Sequence, residues 1–177
     1  MKQATRKFAR QAGMTLVEII AALAIIAVVI VGALALYASG SSSANSNAML
    51  QDLTAIRSAT QQLYMGQGGY GTVSLNTILE TAQKVPTDMS VSGATITTRL
   101  GGTLTVTGAT TDFTINITNV PADVCTQLIT NSADGWASVK VGASPAITAF
   151  PVSPAIATAA AQCGGTAPFS ITWTTPN

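Results

Sequence analysis

The sequence predicts an α+β protein in which one long N-terminal helix, apolar at its start, packs against an antiparallel β-sheet domain. Three observations carry this. Twenty successive residues, Ile19–Ala38, hold no charge, enough at about 1.5 Å per residue to span roughly 30 Å of hydrocarbon. Met49, Leu50, Leu53, Ile56 and Leu63 then recur at helical spacing, the mark of an amphipathic helix. From Thr95 the period becomes two, with Phe113, Ile115 and Ile117 alternating with threonine and asparagine, as in strands with one buried and one wet face.

Residues 1–13 form a basic leader containing Lys2, Arg6, Lys7 and Arg10 and no acid. Positive charge ahead of an apolar run keeps the N-terminus in the cytoplasm and exports the chain beyond the run. Residues 14–40 form the apolar helix, with one acid, Glu18, at its entrance. A carboxylate there is costly toward the bilayer centre, and a plain anchor has no use for it. A secretory signal is the alternative reading, with Ala33 and Ala35 as its cleavage signal. The acid and the length of the run, against about 7–15 residues in a signal's apolar region, weigh against it.

Residues 41–177 are about right for one globular domain. Ser39–Ser43 has poor helix propensity, Gly40 alone costing about 1 kcal/mol relative to alanine, so a weak joint is expected before the amphipathic helix of residues 44–64. Gly66–Gly71 reads as a turn, and it lacks the Lys and Ser or Thr of a phosphate loop. A short helix, Leu75–Gln83, stopped by Pro86, falls in a connecting loop that runs over residues 65–94. The sheet and the region of the two cysteines occupy residues 95–177. Within it Gly101-Gly102 is expected to form a two-residue hairpin turn between Ile96–Leu100 and Thr103–Thr107. Pro121–Ile129 reads as a helix, Trp136–Val141 as a strand and Ile147–Phe150 as a further one. Ser153-Pro154 has the form of an N-cap with proline at the first helical position, opening an alanine-rich helix that leads to Cys163. Phe169–Thr174 alternates as a final strand. The sequon at Asn116 sits in a threonine-rich strand, where it arises easily by chance.

The chemistry excluded is as informative. Histidine is absent, and after residue 40 there are one Glu and five Asp, none paired in a short motif, so the parts for acid–base or metal-assisted catalysis are missing. Beyond the leader, four basic residues face seven acids, a net charge of −3, which gives no footprint for nucleic acid. In an exported domain the pair Cys125 and Cys163, without histidine or CxxC spacing, reads as a disulfide. Closing a loop of about 38 residues is worth roughly 4 kcal/mol on a chain-entropy account.

Gly13-Met14-Thr15-Leu16-Val17-Glu18 followed by an unbroken apolar helix resembles the prepilin motif of type IV pilins. Met14 in place of Phe is similar to the type IVb branch, as is Cys163-Gly164-Gly165-Thr166-Ala167-Pro168-Phe169 to the closing segment of toxin-coregulated-type pilins. Leu63–Gln67, Thr77–Glu80 and Gly101–Val106 resemble segments of bundle-forming and conjugative thin-pilus pilins. The resemblance implies the type IV pilin fold, with residues 125–163 bounded by the disulfide and exposed, and Phe169–Thr174 inside the sheet. It implies cleavage between Gly13 and Met14 by a prepilin peptidase and N-methylation of Met14. Glu18 would then pair, on assembly, with the Met14 amine of a neighbouring subunit. The expected partners are other copies of the chain, the peptidase, the inner-membrane assembly machinery and, before assembly, the membrane itself. No cofactor, metal or small-molecule substrate is expected. The chain would rest in the bacterial inner membrane and then enter an extracellular pilus serving adhesion, aggregation or conjugative mating. A minor pilin or type II secretion pseudopilin shares the same motif, and a signal-anchored periplasmic binding module is a further alternative.

Overall fold

The computed structural model describes residues 15–132 and 135–176. The chain divides into two compact units, Met1–Gly40 and Ser41–Asn177. Helix α1 (Leu16–Leu63) is 48 residues long and unbroken. In the first unit it is apolar around its circumference, and its large side chains from Leu16 to Tyr37 are all exposed. It is the one helix among the described residues long and apolar enough to cross a membrane, with a mean hydropathy of 3.2 over its most apolar stretch.

The second unit opens inside the expected weak joint, and its serines Ser41–Ser43 are helical despite their poor propensity. Ser42 Oγ donates to the Asp123 carboxylate. Ser46, fully buried, donates to Gln127 Oε1 at 2.5 Å, with the Ser43 carbonyl a second acceptor within reach at 3.1 Å. These bonds to a distant helix offset the poor propensity of the serines. Beyond them Met49, Leu53, Ile56 and Ala59 are buried in one core cluster with the sheet, as their spacing requires.

The sheet has six antiparallel strands: β1 (Ser90–Ser92), β2 (Thr95–Thr97), β3 (Thr103–Gly108), β4 (Phe113–Val120), β5 (Ser138–Val141) and β6 (Phe169–Thr174). Their spatial order is β1-β2-β3-β4-β6-β5. Thus β6, last in sequence, lies between β4 and β5, inside the sheet as expected. Leu104, Val106, Ile115, Ile117, Val139, Ile171 and Trp173 supply the buried face, each alternating with a more exposed neighbour.

Four local expectations differ from the structure. The Gly101-Gly102 pair is not a two-residue turn: Thr97 pairs with Thr103, and residues 98–102 form the loop. It is closed by Thr98 N–H to the Gly102 carbonyl at 2.8 Å and Gly101 N–H to the Thr98 carbonyl at 2.9 Å. Gly102 serves close approach instead, since a Cβ there would lie 1.8 Å from the Thr118 carbonyl oxygen. The two-residue turn falls at Gly93-Ala94, joining β2 to β1, a strand lying within the expected connecting loop. Ile147–Phe150 is no strand; only Ile147 pairs, with Val139, because Pro145 and Pro151 bracket the segment without N–H donors. The alanine-rich helix is a single turn, α4 (Pro154–Ala157), capped by Ser153 as predicted. The chain then folds back, Cys163 N–H reaching the Ala157 carbonyl at 3.0 Å. A close approach of Gly164 to the Thr158 carbonyl, which a Cβ would meet at 2.3 Å, prevails over alanine's propensity.

Helix α2 (Asn76–Thr81) is shorter than expected and ends before Pro86, with Gln83 at φ 52° and Lys84 N–H bonded to the Leu79 carbonyl at 2.9 Å. Helix α3 (Ala122–Thr130) forms where predicted, burying Val124, Cys125, Leu128 and Ile129.

Candidate assembly surface

Gly13 and Met14 lie outside the described residues. Immediately after them Thr15 caps α1: its Oγ1 accepts the Glu18 N–H at 3.3 Å, and its carbonyl accepts the N–H groups of Glu18 and Ile19 at 3.0 and 3.2 Å. Thr15-x-x-Glu18 has the spacing of a capping box, a local signal by which sequence reasoning could have found this cap. Glu18 is exposed in the first turn, where the partial positive charge of a helix N-terminus favours an anion. Among the described residues it has no ion-pair partner. From Leu16, 76% exposed, to Tyr37, also 76% exposed, every large side chain of the following helix lies open.

The other half of α1 is fastened to its domain by polar groups that spacing alone does not reveal. Asp52 is buried, and Arg99 Nη2 lies 3.4 Å from its Oδ2 while also pairing with Asp88. Burial pushes the Asp52 carboxyl above its ordinary value of 3.8, opposed by the Arg99 guanidinium. Arg57 stands 4.7 Å from the ring centroid of Trp136 and donates to the Gly135 carbonyl at 2.6 Å. The Trp136 ring in turn lies 6.4 Å from that of Trp173, whose indole N–H donates to Ser132 Oγ at 3.1 Å. Cys125 and Cys163 are joined, with a Cα separation of 5.8 Å. Among the described residues no cluster of metal-ligating side chains occurs. Asn116 donates to Ser170 Oγ and Thr172 Oγ1 at 2.9 and 2.7 Å, so its amide is engaged within the sheet.

Residues 43–176 match the family described as PilS N terminal, and residues 8–34 match the prokaryotic N-terminal methylation motif. The chain belongs to the PilS family and is a type IVb pilin. The crystal structure of TcpA, a type IV pilin from Vibrio cholerae El Tor biotype, is similar in fold. The match has 17% identity, covers 75% of this chain and 99% of that one, and has a TM-score of 0.56. No curated protein sequence matches the pilin.

Type IV pilins are structural subunits, not enzymes, and polymerise into filaments. In this pilin the polar fastenings and the disulfide belong to the second unit, while the apolar half of α1 carries the Thr15 cap and one acid, Glu18. A helix apolar all round has no stable place in water and must be covered by lipid or by other helices. The residues missed by sequence reasoning, Asp52, Arg57, Asn76 and Arg99, have partners many positions distant along the chain, which no local pattern announces.

Proposed function

We propose that this pilin is the structural subunit of a type IVb-like pilus, held in the bacterial inner membrane before assembly and then built into an extracellular filament used for adhesion, aggregation or conjugative mating. Residues 1–13 are the leader, 14–40 the segment that exchanges lipid for the filament core, and 41–177 the exported domain. The observation that carries this reading is the exposed apolar surface of α1 from Leu16 to Tyr37, most of it within the matched methylation motif of residues 8–34. A prepilin peptidase removes the leader between Gly13 and Met14, and Met14 is N-methylated. The inner-membrane machinery then adds the subunit to other copies, and because each head-to-tail contact regenerates the next, the result is an open filament. The region between Cys125 and Cys163 lies on the pilus exterior.

Within a helical core the Glu18 carboxylate is desolvated and costly unless paired. The nearest cation available to it is the amine freed at Met14 of the adjacent subunit. Glu18→Gln keeps the shape and removes the charge. It is expected to be processed at the normal rate yet to give at most about one tenth of the filament yield, a loss on the scale of one unpaired ion, about 1.4 kcal/mol or more. Sheared filaments at wild-type yield would refute the pairing. Gly13→Val should leave the leader attached, seen as the uncut mass, because the extended cut site tolerates little bulk.

A further inference from the structure

Where α1 ends, the chain turns through Gly66, Gly68 and Gly69 and meets the loop joining β3 to β4. Between them lies a cleft of about 400 Å³, lined by Tyr64, Gln67, Tyr70, Thr110 and Thr111 and by two of the glycines. The size falls within the roughly 300–1,000 Å³ of small-ligand sites.

Its walls are fixed to each other through backbone. Tyr70 N–H donates to the Ala109 carbonyl at 3.3 Å. A Cβ on Gly69 would lie 2.0 Å from the Thr110 carbonyl oxygen, and one on Gly108 would lie 2.5 Å from that of Tyr70. The cleft is therefore a feature of the fold, not of one side-chain arrangement.

Its chemistry is also selective. The chain has three tyrosines, and two of them line this cleft, with ring centroids 5.4 Å apart and planes tilted by 46°. Tyr70 rests edge-on against buried Phe113 at 4.8 Å, so its ring is held from behind. The remaining lining groups are one amide and two threonine hydroxyls, and no charged side chain contributes. An ionic ligand would find no counter-charge, and a wholly apolar one would strip water from polar groups without replacing their hydrogen bonds. A ring with an apolar C–H face and several hydroxyls satisfies both the aromatic and the amide–hydroxyl parts of the wall.

We propose that this cleft binds a neutral saccharide ring. A single open site of this kind binds weakly, and its repetition on a filament raises the avidity without any new contact. The proposal does not depend on the assembly reading, because the site lies within one subunit.

The test uses the full-length pilin in dimethyldodecylamine oxide, a detergent without a sugar headgroup. It is passed over surfaces bearing polymer-linked glucose, galactose, mannose or N-acetylglucosamine, with polymer-linked sialic acid as the charged probe. At least one neutral surface should retain the pilin, with no loss on raising the salt. The double variant Gln67→Ala/Tyr70→Phe, which keeps the ring packed on Phe113, should lower retention at least tenfold, whereas Lys140→Ala should not change it. Helical circular dichroism and an intact disulfide confirm that the variants are folded. Absence of retention on all four neutral surfaces, retention on sialic acid alone, or undiminished retention of the folded double variant would each overturn the proposal.

Discussion

At the residue scale the domain is held by a few buried polar side chains whose partners are fully specified. Asn76 is 3% exposed. Its amide donates to the Ala94 and Leu104 carbonyls, each at 2.9 Å, while its Oδ1 accepts the Val106 N–H at 2.8 Å. Asn76→Ala strands three backbone groups, and an unsatisfied buried group costs about 1–3 kcal/mol. A loss of about 2–4 kcal/mol is expected from urea midpoints; a loss below about 1 kcal/mol would mean that water replaces the amide. Asp52 makes a prediction with a sign. Its folded carboxyl titrates above the ordinary 3.8, chiefly through burial, so the folded state binds its proton more tightly than the unfolded chain does. The contribution to stability is then greatest below pH 3.8 and falls as pH rises through the elevated value. Wild type should lose stability relative to Asp52→Asn as pH is raised across that interval, measured by urea unfolding of both proteins; a gain instead would mean that Arg99 outweighs burial. Neither residue is legible from the sequence. Asn76 reads as an ordinary helix-start residue, and Asp52 as a polar position on an amphipathic face, until the partners 18 to 47 positions away are in place.

At the scale of elements, propensity and tertiary contact disagree in one place and can be set against each other. Serine is a poorer helix former than alanine, by up to about 0.5 kcal/mol, so Ser42→Ala/Ser46→Ala should strengthen α1 if local preference governs. The hydroxyls' bonds to Asp123 and Gln127 predict the reverse. Amide hydrogen exchange over residues 39–46 should speed up and overall stability fall by about 1–2 kcal/mol; slower exchange would assign the continuity of the helix to propensity alone. The elements that were legible were those whose signal is local. The apolar run, the Met49–Ile56 face, the alternation in β4 and the Ser153-Pro154 start of α4 all match the structure. Those misread were governed by backbone approach: a carbonyl of strand β4 lies against Gly102 and one from six residues earlier lies against Gly164, and sequence displays the glycine without the carbonyl.

For the whole molecule the class was legible because two unlike patterns stand in series, an uncharged span and then a period of two. The order of strands was not contained in those patterns; placing the last strand inside the sheet rested on resemblance. What remained illegible is the fastening between α1 and the region that the disulfide closes, since Ser46 and Gln127 are 81 positions apart. A stop introduced after Pro168 would remove β6, leaving β4 paired only with β3 and β5 without its partner strand. The product is expected to lose its cooperative unfolding transition altogether. Retention of a sharp transition would show that β1 to β4 with α1 form a stable core of their own.

The position of β6 also orders events in time. Strands β4 and β5 are joined only through Phe169–Thr174, which lies between them, so a growing chain carries an unfilled gap in its sheet from the completion of β5 until its last strand is made. The exposed edges on either side of that gap are open to any extended segment that reaches them first. During synthesis the protein is therefore most vulnerable to proteases and to mispairing immediately before its last strand emerges, and stalled nascent chains that end before Phe169 should be cleaved far faster than those extended past Thr174.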